Sequence, residues 1–521
     1  MSDVGSDSGM GSSPIIGFSI HLGTVAPTDT GSIPPWVSTG HAIPVLVEPK
    51  TSGEPYWSGW ALAGDSRATA VASHDGVTVL LAGELYHRAE LGSVVGETAD
   101  GLSDAELLLA CWLRYGPSGL RLCNGRFAAV VAENDSVVVA TDHAGTIPLY
   151  LRTRPDGVDV ATEAKVLAEG AGDSFPAPGT EPAPGLTGVR RVQAGTAVTL
   201  VPGSTVAEAA RTWRPPHHRL IVSPDEAVNR VADVLDKAVR TRLGGPHDPV
   251  TAVLSGGIDS SSVVALASGG GRPVRTISLG TDIGDEFAAA RVVAEHLGTR
   301  HHEFRCSSEE LVRQLPWAVA AAEIVDAEVL EYLLPLVVLY RMVPNEGTRI
   351  VTGYGADIPL GGMHRTTERL HSLDEVIAFD MGTFDGLNEL SPVLGSMAGH
   401  WTTHPFWDRD VLDLLTALEP GLKRRDGRDK WVLREAMREL LPTATVTRPK
   451  LGIHEGSGTS SAWSQLLRRV GVAESDLASV KTAMAAVFHR RTVREQEPPG
   501  EVSFDDVLDE VMSEQNLAVT R

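Results

Sequence analysis

Cysteine is scarce in this chain of 521 residues. Cys111, Cys123 and Cys306 share no metal-ligand spacing and no disulfide framework, which fits a reducing cytoplasm. Aromatic residues make up only 5% of the chain, and 45 Lys and Arg face 67 Asp and Glu. The formal net charge of −22 excludes a broad nucleic-acid-binding surface, because a polyanion is held by clustered cations. Local basic clusters can still hold a small anion. No apolar run reaches the ~20 residues needed to cross a bilayer. The polar N-terminus MSDVGSDSGMGSSP has no basic region leading into an apolar one, so neither a signal peptide nor a membrane partner is expected.

What is present is globular: 42% hydrophobic and 21% charged residues, over a length that predicts two to four domains. In the first ~170 residues, apolar runs at Val77–Gly83, Ala128–Ala132 and Val137–Thr141 are bounded by Asp, Asn and Gly, and predict short strands in a sandwich-like arrangement. Asp104–Tyr115 interrupts them with Leu107, Leu108 and Cys111 at helical spacing. Residues 171–185 are rich in Pro and Gly and read as a loop, followed by strands near Arg190–Gln193 and Ala197–Val201.

The composition then turns to α/β. Ser223-Pro224-Asp225-Glu226 is a helix start, with Ser at the cap, Pro at the first helical position and Glu three residues after the cap. Val228, Val231, Leu235 and Val239 follow on one face. A buried-strand pattern at Val250–Leu254 leads through a Gly-rich turn into a helix, then to a strand at Val274–Leu279 and a helix over Asp285–Leu297. Such alternation implies a parallel sheet with right-handed crossovers. The expected division is 1–210 and 211–521.

The turn Ser255-Gly256-Gly257-Ile258-Asp259-Ser260 has the chemistry of a phosphate cradle. Glycines let backbone N–H groups approach an anion, the serines add hydroxyl donors, and the following helix presents its positive end. Asp259 beside a polyphosphate calls for a cation between them, and Mg²⁺ suits a carboxylate with phosphate oxygens. The loop lacks the Lys of a Walker A sequence, which disfavours γ-phosphoryl transfer. It resembles the pyrophosphate loop of N-type ATP pyrophosphatases, which cleave ATP to AMP and pyrophosphate.

Further segments resemble the asparagine synthetase superfamily: Leu297-Gly298-Thr299-Arg300-His301-His302-Glu303, Gly353-Tyr354-Gly355-Ala356-Asp357, and, in the first half, Asn124-Gly125-Arg126-Phe127-Ala128 and Asp142–Tyr150. The resemblance implies two domains. The first is a degenerate glutaminase-like β-sandwich of the N-terminal-nucleophile type; the second is an α/β adenylating domain with a parallel sheet and the pyrophosphate loop. A working glutaminase of this kind needs a Cys directly after the initiator Met, and here Ser2 stands there. The family's glutamine-binding Asn-Gly-Glu is Ala82-Gly83-Glu84. An inactive glutamine site and a substrate that carries its own amine are the expectation.

Stretches from Gly353 to Arg365, Phe384 to Glu389, Gly399 to Pro405 and Arg448 to Gly452 resemble the β-lactam synthetases within that superfamily. That branch implies ATP-dependent ring closure of an arginine-derived β-amino acid. Tyr354 and Glu389 would form the base pair that takes the amine proton, and Lys450 would stabilise charge on the reacting carbonyl and phosphate. Lys430 would sit on the pyrophosphate with Ser255, Gly257, Ser260 and Gly353, while Asp259 and Asp357 would hold Mg²⁺. Val253, Leu254 and Leu279 would flank adenine by position, and they read equally well as core strand residues. Tyr332, Gly355, Asp380 and Glu389 would line the substrate pocket, with the carboxylates suited to a guanidinium. Leu451–Gly458 would form a mobile lid.

Adjacent His301 and His302 point to opposite faces of a strand and read as structural. Two alternatives stay open: a relative closing another lactam, and a non-catalytic ATP-binding descendant. A homodimer is also left open.

Overall fold

The computed structural model of the chain describes residues 15–23, 41–47, 56–63, 71–99, 101–133, 136–174, 184–200, 207–244, 250–344, 349–363, 370–382, 391–452 and 459–515. Its first part is built from β1 (Ile15–Gly23), β2 (His41–Val47), β3 (Tyr56–Ala63), β4 (Val71–His74), β5 (Val77–Tyr86), β6 (Asn124–Glu133), β7 (Ser136–Thr141), β8 (Tyr150–Arg154), β9 (Gly157–Ala161), β10 (Val189–Arg191), β11 (Thr196–Leu200) and β12 (Ala207–Arg211). Antiparallel pairing makes two leaves, β2-β3-β1-β9-β8-β10 and β4-β5-β6-β7-β11-β12. They join where Ile15 pairs with Gly83.

The inner faces bury Phe18, Ile20 and Trp57 against Leu80, Val130 and Val139. The outer face of the second leaf buries Val79, Leu81 and Val131 under α1 (Arg88–Val95) and α2 (Asp104–Tyr115). Because both faces of β5 and β6 are covered, these strands read as continuous apolar runs instead of alternating ones. The sandwich is as expected, and the helix falls on Asp104–Tyr115.

The second part centres on a parallel sheet of β13 (Val250–Val253), β14 (Val274–Thr281), β15 (Arg300–Cys306), β16 (Arg349–Val351) and β17 (Trp401–Thr403), in the order β15-β14-β13-β16-β17. One face is covered by α3 (Pro224–Arg240), α4 (Ile258–Ala267) and α5 (Phe287–Leu297), which bury Val231, Leu235, Val264 and Val293 with Val250 and Ala252. The Ser223 hydroxyl accepts from the Glu226 N–H and caps α3. On the other face, helices Ala327–Met342, Leu477–His489 and Phe504–Glu514 pack over Ile277 and Ile350.

The strand order reverses at β13, which lies between β14 and β16. Open α/β sheets bind ligands beyond the strand ends at such a switch point, and here the SGGIDSS turn occupies it. Among the described residues no helix is long and apolar enough to cross a membrane.

The two parts share buried surface. Trp401 of β17 packs into the inner core of the sandwich. Tyr150, Leu167 and Leu186 of the first part join the helical core of the second.

Candidate active site

The chain leaves β13 and turns sharply at Gly256, whose φ is +76°. A Cβ there would lie 2.4 Å from the Ala289 carbonyl carbon on α5, so the turn requires glycine on both counts. Ser260 Oγ accepts from the Ser255 N–H at 3.1 Å and donates to the Gly257 carbonyl at 3.3 Å, closing the loop on itself. Arg448 clamps it from outside: its guanidinium donates to the Ser255 carbonyl at 3.2 Å and pairs with Glu286 at 2.9 Å. Gly256→Ala is expected to weaken ATP binding at least ~10-fold, since a left-handed backbone and a clash of this size cost a few kcal/mol. Equilibrium titration with a fluorescent ATP analogue reads it.

Asp259 lies in the first turn of α4 and Asp357 in the turn after β16. They are brought together by the close packing of Gly353, where a Cβ would lie 2.4 Å from the Ser260 nitrogen. Two lysines complete the cluster. Lys430 Nζ lies 2.5 Å from Asp259 Oδ2 and 2.5 Å from Asp357 Oδ1; Lys450 Nζ lies 3.3 Å and 2.9 Å from Oδ2 of the same residues.

Lys430 is not a solvated surface lysine: its side chain is 0% exposed. It sits at φ +52°, a left-handed conformation costly for a side chain with a Cβ, held by the packing around it. Burial would raise the Asp357 carboxyl, but the Lys430 and Lys450 ammonium groups outweigh it and hold the acid well below the usual range. Burial likewise opposes the Lys450 ammonium, and Asp259 and Asp357 more than reverse that, so the lysine stays charged. Asp259 Oδ1 is buried without a hydrogen-bond partner, an acceptor of the kind that a hard divalent cation takes up.

Tyr354 begins the same turn. Its phenol donates to the Tyr332 hydroxyl at 2.8 Å, from helix Ala327–Met342. Its ring meets His404 and Trp407 edge-on, each at 6.3 Å. Gly355 has φ +97°, and a Cβ there would lie 2.2 Å from the Trp407 ring. Asp380 is half-buried on helix Leu370–Gly382, beside Met381, which packs in the apolar cluster that touches Tyr354. Glu389 lies outside the described residues, as do Ser2 and 453–458 of the expected lid. Leu254 is 0% exposed in the core under α3 and α4, whereas Val253 and Leu279 are half-buried on the other face of the sheet.

His301 is tied between strands, its Nδ1 lying 3.0 Å from Thr276 Oγ1, whereas His302 Nε2 is buried without a hydrogen-bond partner. Arg448, Thr352, His404 and Trp407 escaped sequence reasoning as single residues. Arg448 directly precedes the Pro449-Lys450 pair, and His404 stands in the Gly399–Pro405 stretch. Nothing in residue type alone separated them from their neighbours.

A phosphate turn at a switch point, a buried carboxylate–lysine cluster and a tyrosine beside it define an ATP-dependent carbon–nitrogen ligase with a glutaminase-like partner domain. In sequence, the asparagine synthase family pattern matches residues 230–401 and 395–498, and a glutamine amidotransferase domain matches 65–177. The chain belongs to the asparagine synthase family. It is 52% identical to the carboxyethyl-arginine beta-lactam-synthase of Streptomyces clavuligerus over 432 residues, covering 83% of this chain and 84% of that protein. Asparagine synthetase B of Escherichia coli K12 is 25% identical over 430 residues, covering 77% and 73%. The asparagine synthetase of Zea mays is 26% identical over 418 residues, covering 73% and 66%.

The Glu84 carboxylate of the Ala82-Gly83-Glu84 stretch is committed to the domain contact. Arg349 grips it with two bonds of 2.6 and 2.9 Å, and the Trp401 indole donates at 2.9 Å. Burial opposes its charge, but these partners lower the carboxyl to about 2.

Proposed function

We propose that this enzyme is an ATP- and Mg²⁺-dependent β-lactam synthetase acting on N2-(2-carboxyethyl)-L-arginine. It activates the β-amino acid carboxylate as an acyl-adenylate with release of pyrophosphate. The substrate's own secondary amine then attacks the acyl carbon, the bond to AMP breaks, and deoxyguanidinoproclavaminate forms. The observation that carries this reading is the convergence of Lys430, Lys450, Asp259 and Asp357 on the turn that bears Tyr354. High identity to the Streptomyces clavuligerus relative supports the choice of acid.

Mg²⁺, held by Asp259 and Asp357, would neutralise phosphate charge. Ser255, Gly257, Ser260 and Gly353 line the pyrophosphate path, and Lys430 binds beside it. Lys450 meets the charge that develops on the carbonyl oxygen and the α-phosphate. Tyr354, oriented by Tyr332 and paired with Glu389, takes the amine proton as the ring closes. Asp380 and Glu389 bind the guanidinium, which a planar bidentate carboxylate contact suits. Residues 1–210 form the inactive glutaminase-like domain and 211–521 the synthetase domain. The three free cysteines fit a cytoplasmic enzyme.

With this acid, ATP and Mg²⁺, the purified protein is expected to release AMP and pyrophosphate together with a product lighter by one water, without glutamine or ammonia. Release of ADP, or dependence on ammonia, would overturn the reading. Tyr354→Phe is expected to retain ATP–pyrophosphate exchange and to lower lactam formation ~10²-fold, the usual range for losing a positioned base.

A further inference from the structure

The segment Trp401–Asp408 runs between the two domains, and every one of its residues is buried. Toward the first domain it is gripped along its length. The Arg126 guanidinium donates to the Thr402 carbonyl and lies 4.1 Å over the Trp401 ring. The Tyr86 hydroxyl is 3.1 Å from Thr403 Oγ1. His143 Nε2 donates to the Trp407 carbonyl at 2.6 Å, and Asn124 donates to Asp408 Oδ1 at 2.9 Å.

Toward the synthetase site the same segment holds Tyr354. The Thr352 N–H donates to the Thr403 carbonyl at 3.0 Å. His404 Nδ1 lies 2.6 Å from Thr352 Oγ1, and that oxygen accepts from the Tyr354 N–H at 3.3 Å. His404 and Trp407 then meet the Tyr354 ring edge-on. The His404 ring is buried, and its Nε2 has no hydrogen-bond partner. Burial and the neighbouring Arg126 and Arg242 charges keep it neutral.

We infer that the glutaminase-like domain serves ring closure as a brace: through Trp401–Asp408 it sets the position of Tyr354, with His404 as the positioning residue on the synthetase side and His143 on the other. A brace of this kind has a chemical purpose. Adenylation is assigned to the phosphate turn and the lysine–carboxylate cluster, whose side chains are not among the partners of Trp401–Asp408 named above; the nearest approach is through Thr352, whose neighbour Gly353 packs on Ser260. Ring closure instead depends on where one phenolic oxygen sits, and a misplacement near 1 Å can cost ~10²-fold in rate. The domain contact thereby acts on the second half-reaction and spares the first. This rests on the ring-closing role proposed for Tyr354.

The test separates the half-reactions in the full-length protein. His143→Ala is expected to leave ATP–pyrophosphate exchange within about threefold of wild type and to lower lactam formation ~10- to 100-fold. His143→Gln, which can keep an Nε2 donor, should restore most of the loss. His404→Leu should lower lactam formation, and His404→Asn, which keeps a polar atom near Nδ1, should recover part of it. Tyr86→Phe deletes a single hydroxyl at the other end of the segment and keeps the test open if His143→Ala does not fold; it should show the same partition in milder form. The third readout needs no substrate. In fluorotyrosine-labelled protein, with 7 tyrosines and Tyr354→Phe to assign the signal, the Tyr354 ¹⁹F resonance should move in His143→Ala.

Equal losses in both half-reactions, unchanged lactam formation, or an unmoved resonance would overturn the brace. If wild type forms no lactam while the resonance still moves, the positioning of Tyr354 through Trp401–Asp408 stands and it is the proposed reaction that falls.

Discussion

Lys450→Ala is expected to lower lactam formation by about 10²–10³-fold in steady-state assays of AMP release, the range seen when one preorganised donor to a developing negative charge is removed. The ammonium lies 2.9 Å from Asp357 and 3.3 Å from Asp259, and those carboxylates keep it charged against its burial. In the proposed reaction it would meet phosphate and carbonyl oxygens without having to acquire a proton. Lys450→Arg is not expected to rescue. A planar fork carries its charge over several atoms, whereas this site sets two compact ammonium groups, those of Lys430 and Lys450, between two carboxylates.

The linkage sign is that of a raised Lys pKa. Charge at position 450, and any stability it brings, persist below the unfolded value of ~10.4 and are lost only as pH rises through the still higher folded value. An alkaline fall in rate below pH ~9 thus belongs to another group. Retention of activity within tenfold in Lys450→Ala would remove Lys450 from the chemistry.

Asp408→Ala is expected to have the largest effect on stability, about 3–5 kcal/mol, because it strands a buried cation. Arg242 lies 2.8 Å from Asp408 with both side chains almost wholly enclosed, and His87 approaches the same oxygen at 3.0 Å. The other oxygen accepts from Asn124 of the first domain at 2.9 Å and from the Asp410 N–H at 3.0 Å. Burial pushes the Asp408 carboxyl up, but the Arg242 charge and the His87 hydrogen bond hold it far below the ordinary range.

Its contribution is accordingly full above the unfolded value of ~3.9 and declines as pH falls through the acid region toward the folded value. Urea unfolding followed from pH 7 to 3 should show wild type losing stability on acidification and Asp408→Ala starting lower with a flatter dependence. A loss under 1 kcal/mol in the variant would contradict the buried pair. The cluster of His87, Asp408 and Asp410 could suggest a metal site, but Arg242 and Asn124 already occupy the Asp408 oxygens.

Much of the architecture was legible because local chemistry and global fold agree. The Ser223 cap, the apolar spacing of α3 and the alternation from β13 to α5 each depend on near neighbours in the chain, and each fell where the pattern placed it. Trp401 gives no such sign: it belongs to a strand of one domain yet fills the core of the other. Lys430 was ambiguous for the same reason, since a lysine in Gly-Arg-Asp-Lys-Trp looks solvated until distant segments close over it.

The sequence by itself determined the phosphate turn, the carboxylates and lysines available to it, and the strand-and-helix order that puts the turn at the end of β13. These depend on residue type and short-range spacing, which a chain carries whether or not it is folded. Only the tertiary structure decided that Lys430 is buried between Asp259 and Asp357, and that the Tyr354 phenol donates to Tyr332. It alone placed Trp401–Asp408 between the domains, with His404 reaching Thr352 and His143 reaching Trp407. Those contacts join residues far apart in the chain, and burial and close packing across the interface select them, which no local pattern encodes.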